Sequence, residues 1–447
     1  MNDIKIDFSK RIGTIKALHG VNNGPLCLGS LVDVSEYYKE LGIPYVRVHD
    51  TNWPNPREVD IYTIFPDSGK DPLDPESYDF RRTDDYIKSI VDTGAKVVYR
   101  LGVSIEHTKR KYYTNPPQDF KKWAEICVGI IKHYNYGWAN GFHYDIQYWE
   151  IWNEPDNPDG DCMWSGTPEQ YFELYETTAT AIKHFDPKLK VGGFAATMVN
   201  PEFTENFFGY CKRQNVPIDF FSWHTYADEP EKIVSNAEKV KELLTRYGYI
   251  NAESHFNEWN YTSSDPEIKA VFRGRNEYYT QEFFERSKGA EGASFDAAVL
   301  ILLQDCSVDV ANFYDAAPSS YWSLFNLYGV PQKNYYAFKA FRMLYDDPQR
   351  VSVDISSGIK GLYCCCGIDD NGKEASILIS NFNAESREYT IDFSNLLLEG
   401  SFTCRTYLLD NEHNLQLVDS EMIDRNCSRI VRNIGNRSVL LLKIVNE

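Results

Sequence analysis

No two cysteines in this chain are spaced C-x-x-C. The ten present, including the triplet Cys364, Cys365 and Cys366, therefore give neither a zinc ribbon nor a disulfide framework, and reduced core thiols are expected. The first residues, MNDIKIDFSK, lack the basic start and apolar run of an export signal, so the chain reads as cytoplasmic unless such a segment has been removed. Apolar runs of spanning length are missing too; the nearest, AAVLILLQD, is broken by Gln304 and Asp305, so no membrane span is expected. Positive charge is scarce. With a net charge of −19 the protein's own field opposes nucleic acid and anionic membranes and favours a neutral or cationic ligand. No strand is followed by G-x-G-x-x-G or G-x-x-x-x-G-K-[ST], which removes the main support for a nucleotide-binding sheet. The sequons at Asn260, Asn426 and Asn436 have no consequence without secretion.

What the chain does have is length and apolar mass. At 447 residues and 43% hydrophobic it is too long for one ordinary core and calls for a large unit and a smaller one. Aromatic content is 15%, with 31 Tyr and 9 Trp; such rings suit sugar faces, and they equally fill large α/β cores. Short apolar runs alternate with amphipathic stretches through the first three quarters. Eight strands are predicted: Ala17–Val21, Pro44–His49, Lys96–Gly102, Ile146–Asn153, Lys190–Ala195, Phe220–Tyr226, Ser254–Trp259 and Val310–Asp315. Helices are predicted between them, among others over Thr83–Thr93, Asp119–Tyr134, Pro168–His184 and Glu231–Tyr247. Eight βα units suit an α/β fold of the (β/α)8 TIM-barrel type over residues 17–345. Beyond Asp346, period-two segments separated by Gly, Asn and Asp predict an antiparallel β-sandwich over 346–447, with IKIDF in residues 1–16 adding a strand to it.

In such barrels chemistry gathers where strands end, because the packed interior leaves only that rim open. Glu154 stands where the fourth strand ends, in YWEIWNEPD, and Glu258 stands at the end of the seventh, in HFNEWN. They are 104 residues apart, three units of about 35 residues. Two carboxyls facing across a pocket can divide the chemistry between them. One protonates a leaving oxygen while the other attacks or activates water, as glycosidic cleavage requires. Glu150 lies deeper, and the expected reading is structural, a buried charge paired with Arg100 or Arg47. Period two puts Arg47 and His49 on one inward face, and Ser222, His224 and Tyr226 on another. Arg47 and Tyr226 are expected to hold Glu258 ionised. Asn153 is placed to bond a sugar hydroxyl beside the reacting carbon, and Trp322 to form an apolar floor. For His49 and His224, sugar contact and a satisfied rim histidine both remain open.

At these residues the sequence resembles glycoside hydrolase family 39, of the clan A retaining glycosidases. The matching pieces are His19–Pro25 (HGVNNGP), the R-x-H of VRVHD, YWEIWNEPD, Met163–Tyr175, SWHTY and the NEWN around Glu258. The resemblance implies a retaining mechanism with Glu154 as acid/base and Glu258 as nucleophile. Arg47, His49, Asn153, His224 and Tyr226 would line the sugar subsite, and no metal or organic cofactor would be needed. One departure bears on substrate. After the tryptophan equivalent to Trp322, family xylosidases and iduronidases carry an acidic loop, whereas this chain reads SLFNLYGVPQK over Ser323–Lys333. The loops His49–Pro54 and Ser104–His107 can reshape the pocket as well. The expected substrate is a β-xyloside-like or an α-L-arabinoside-like oligosaccharide, cleaved from an end. An inactive carbohydrate-binding barrel, an inverting glycosidase of the same fold and a homo-oligomer stay open.

Overall fold

In the computed structural model, residues 3–27, 31–51, 57–106, 109–157, 162–197, 199, 201–266, 277–318, 322–395, 401–424 and 429–446 are described. Asn52 to Pro54, His107 and the sequon residue Asn426 lie outside them. Eight parallel strands close into a barrel in chain order: Gly20–Asn22, Tyr45–Val48, Lys96–Leu101, Tyr148–Ile151, Lys190–Ala196, Phe220–Ala227, Glu253–Tyr261 and Val310–Phe313. All eight predicted strands are present, several of them shorter at the ends.

The helices outside the barrel form for local reasons. Phe120–Tyr136 starts at Asp119, whose carboxylate accepts from the amides of Lys121 and Lys122. Pro168–Phe185 opens with a capping box in which Thr167 and Gln170 exchange side-chain and backbone bonds. One glycine is required by close approach: a Cβ on Gly192 would lie 2.1 Å from the carbonyl oxygen of Phe220 on the next strand. The apolar run AAVLILLQD forms the end of a helix, Ala290–Leu302, buried between barrel and C-terminal sheet, with Leu303–Asp305 in a following 3-10 turn. Among the described residues no helix is long and apolar enough to cross a membrane.

The C-terminal strands and Ile4–Thr14 form one nine-stranded sheet. Its neighbours are antiparallel except that Ile4–Thr14 runs parallel to Arg387–Ser394 while pairing antiparallel with Gln349–Ile355. The sheet curls over an apolar face that includes Ile4, Ile6, Phe8, Ile377, Ile379, Leu440, Leu442 and Ile430. The alternate residues Leu378, Leu441 and Phe382 face the other way and join the barrel's core. Burying each such side chain contributes about 1.5–3 kcal/mol. The cysteine triplet follows the same alternation: Cys365 packs with the barrel, Cys366 and Cys364 with the sheet's own core. The nine described cysteines are unpaired thiols.

Candidate active site

The fourth strand ends at Ile151, earlier than predicted, because Trp152 and Glu154 adopt left-handed backbone with φ of 70° and 47°. This turn lifts Glu154 out of the ladder, and its amide donates to the carbonyls of Phe194 and Ala195 at the end of the fifth strand, both at 3.1 Å. On the opposite side, Glu258 is buried and lies in register with His224 of the sixth strand.

Arg47 is the hub. Its Nε donates to Glu150 Oε2 at 2.7 Å, and Nη1 donates to Glu258 Oε1 at 2.8 Å and to Asn22 Oδ1 at 3.1 Å. Nη2 donates to Asn153 Oδ1 at 2.7 Å. Because the carbonyl end of Asn153 is taken by Arg47, its amide nitrogen is the end left to face a ligand. Glu150, fully buried, receives a second bond from Asn257 Nδ2. Of the two partners foreseen for Glu150 it is Arg47 that forms the ion pair. Arg100, also fully buried, instead holds Asp60 at 2.8 Å and donates through Nε to His49 Nδ1 at 3.0 Å.

That bond fixes a tautomer. With Nδ1 accepting, the proton of a neutral His49 sits on Nε2, which lies 3.4 Å from Asp50 Oδ1 and 4.0 Å from Glu258 Oε1. Burial and the nearby Arg100 and Arg47 push the His49 ring well below the ordinary histidine range, so it is neutral at neutral pH. Tyr226 donates to Glu258 Oε2 at 2.8 Å, and the half-buried Trp322 stacks edge-on to it with centroids 5.2 Å apart. His224 Nδ1 lies 2.8 Å from Glu154 Oε1 and 3.5 Å from Glu258 Oε2. Asn157 donates to the other oxygen of Glu154 at 3.2 Å. The eight predicted site residues are thus brought together at one rim.

Electrostatics set the protonation pattern. Burial pushes His224 down to about 4, leaving it neutral. Burial also raises the Glu258 carboxyl above the ordinary glutamate value, with the charge of Glu154 adding to it, while Arg47 and the Tyr226 hydrogen bond pull it back. Among the described residues, one grouping has the spacing to hold a metal ion: an atom each from Glu154, His224 and Glu258, all within 4.8 Å of one another. Arg47 already supplies the positive charge there, and Tyr226 takes a lone pair that an ion would use.

A family model described as glycosyl hydrolases family 39 matches residues 30–252. A β-xylosidase of Caldicellulosiruptor saccharolyticus is 25% identical over 92% of this chain and 85% of its own length. The chain belongs to glycoside hydrolase family 39. It is a glycosyl hydrolase, with carbohydrate as its substrate class. In fold it is similar to a glucosidase from Croceicoccus marinus, with a TM-score of 0.83 and 24% identity over the whole of both chains. It is similar also to an α-L-arabinofuranosidase from Thermotoga maritima, with a TM-score of 0.66 and 17% identity over the whole of both chains.

Sequence reasoning missed several residues of this family 39 site. Asn22 and Asn257 tie Arg47 and Glu150 in place. Strict alternation would aim Asn257 away from Glu258, but the ladder slips between Phe256 and Glu258, a bulge that lets consecutive residues both reach inward. Asp50, bonded by the Ile105 amide at 2.7 Å and the Tyr314 hydroxyl at 3.2 Å, was signalled only by its place after His49.

Proposed function

We propose that this enzyme is a retaining glycosidase working by double displacement, with Glu258 as nucleophile and Glu154 as acid then base. The observation that carries this reading is the gap: a carboxylate oxygen of Glu154 and one of Glu258 lie within 4.8 Å of each other. Retention uses carboxyls about 5 Å apart, whereas inversion needs roughly 6.5 to 9.5 Å to admit a water.

In the first step Glu258 bonds to the anomeric carbon as the glycosidic C–O bond breaks and the proton of Glu154 passes to the leaving oxygen. In the second, Glu154 takes a proton from water, whose oxygen bonds to that carbon and releases Glu258. Arg47 and Tyr226 stabilise the carboxylate that leaves in this step. Asn153 presents its amide nitrogen to the neighbouring sugar hydroxyl, and Trp322 floors the subsite beside Tyr226. The similarity to a β-xylosidase supports a β-xyloside-like oligosaccharide, whereas the Ser323–Lys333 loop, which has no acidic residue, supports an α-L-arabinoside-like one; in either case the chain is attacked from its end.

The test uses 2-deoxy-2-fluoro glycosides of xylose and arabinose, chosen by a screen of aryl glycosides. Peptide mass spectrometry is expected to find the covalent adduct on Glu258. Labelling of another residue, or a product of inverted anomeric configuration, overturns the assignment.

A further inference from the structure

Asp156 lies two residues beyond Glu154 and is buried. Its Oδ1 accepts from both the amide and the hydroxyl of Thr197, each at 3.0 Å. Thr197 directly follows the fifth strand, the same strand end whose Phe194 and Ala195 carbonyls receive the Glu154 amide. The acid/base segment is therefore strapped to one strand end twice, by main chain at Glu154 and by side chain at Asp156. The second oxygen, Oδ2, is buried with no hydrogen-bond partner among the described residues. An ionised carboxylate in that position would leave an acceptor unsatisfied in a dry site, whereas a protonated one is far cheaper.

We propose that Asp156 is a positioning residue for Glu154: it locks the acid/base loop to Thr197 and bears on Glu154 electrostatically through the buried, unpartnered Oδ2. This rests on the reading of Glu154 as acid/base. Burial, with the charge of Glu154 second among the upward causes, raises Asp156 to about 7. The groups facing Asp156 are Glu154, Thr197 and, from the helix behind, Tyr171, whose hydroxyl donates to the Ile151 carbonyl. Those facing Glu154 include His224, Asn157, Glu258 and Tyr226. As pH rises through 7, Asp156 gains a negative charge near Glu154, which makes Glu154 hold its proton longer.

Asp156→Asn keeps an acceptor for Thr197 and removes the ionisation. The alkaline limb of kcat/KM is expected to move to lower pH by at least about half a unit. A profile superimposable on that of the unaltered enzyme overturns the proposal. The coupling is reciprocal, so it is also read without altering Asp156. In aspartate-labelled protein, a carboxyl 13C resonance titrating near pH 7 is expected, with its midpoint lowered in Glu154→Gln; no such movement overturns the proposal. Thr197→Val, which removes one of the two donors, is expected to cut kcat on unactivated glycosides about tenfold while holding activated aryl glycosides within about twofold; equal loss on both counts against the clamp. If Glu154→Gln itself shows no dependence on leaving group, the acid/base reading fails. If it does and the Asp156→Asn profile is unchanged, only the role of Asp156 fails.

Discussion

His224 Nδ1 lies between the two carboxyls, 2.8 Å from Glu154 Oε1 and 3.5 Å from Glu258 Oε2. Neutral by burial, it adds no net charge to the pair and holds their spacing through a ring nitrogen. His224→Ala is expected to lower kcat/KM by about 10²-fold or more. Steady-state kinetics with aryl glycosides check this, and a loss under about threefold argues against a spacing role.

Arg47 meets four side chains with one planar fork, a geometry that an ammonium cannot reproduce. Arg47→Lys is expected to cost about 10²-fold in kcat and to lower the urea midpoint. Arg47→Ala, which leaves the buried Glu150 without its ion-pair partner, is expected to destabilise by about 3–5 kcal/mol. Urea unfolding followed by tryptophan fluorescence measures both.

The Glu258 carboxyl titrates above the ordinary glutamate value, and it must be ionised to attack. The acid limb of kcat/KM is therefore expected above that value, with activity lost as pH falls through it. Tyr226 stabilises the ionised form, so Tyr226→Phe raises the limb further. A limb that stays put or moves down in this variant contradicts the assignment, and pH–rate profiles decide it.

Glu154→Gln removes the transferable proton and keeps the shape. Turnover of poor leaving groups is expected to fall by about 10³-fold or more, with a much smaller loss for activated aryl leaving groups. Comparable losses across the series speak against a general acid.

The barrel was legible because each strand is a short apolar run bounded by turn residues, and Glu154 and Glu258 stood out because charges rarely end such runs. Their partners were harder to read. The choice of Arg47 over Arg100 for Glu150 depends on how side chains from several strands fan across the interior, which neighbouring positions do not encode. Asn257 was hidden by a bulge, since one extra residue reverses every inward or outward assignment after it. For the C-terminal strands, period two announced pairing but not partners. That Ile4–Thr14 sits between Gln349–Ile355 and Arg387–Ser394 is set by contacts across most of the chain.

That strand also sets a timetable. During synthesis Ile4–Thr14 leaves the ribosome before either of its neighbours, which are both encoded more than 330 residues later. The barrel strands can close while the Ile4, Ile6 and Phe8 face waits uncovered, so the growing chain carries an unpaired strand edge until Gln349–Ile355 and Arg387–Ser394 follow.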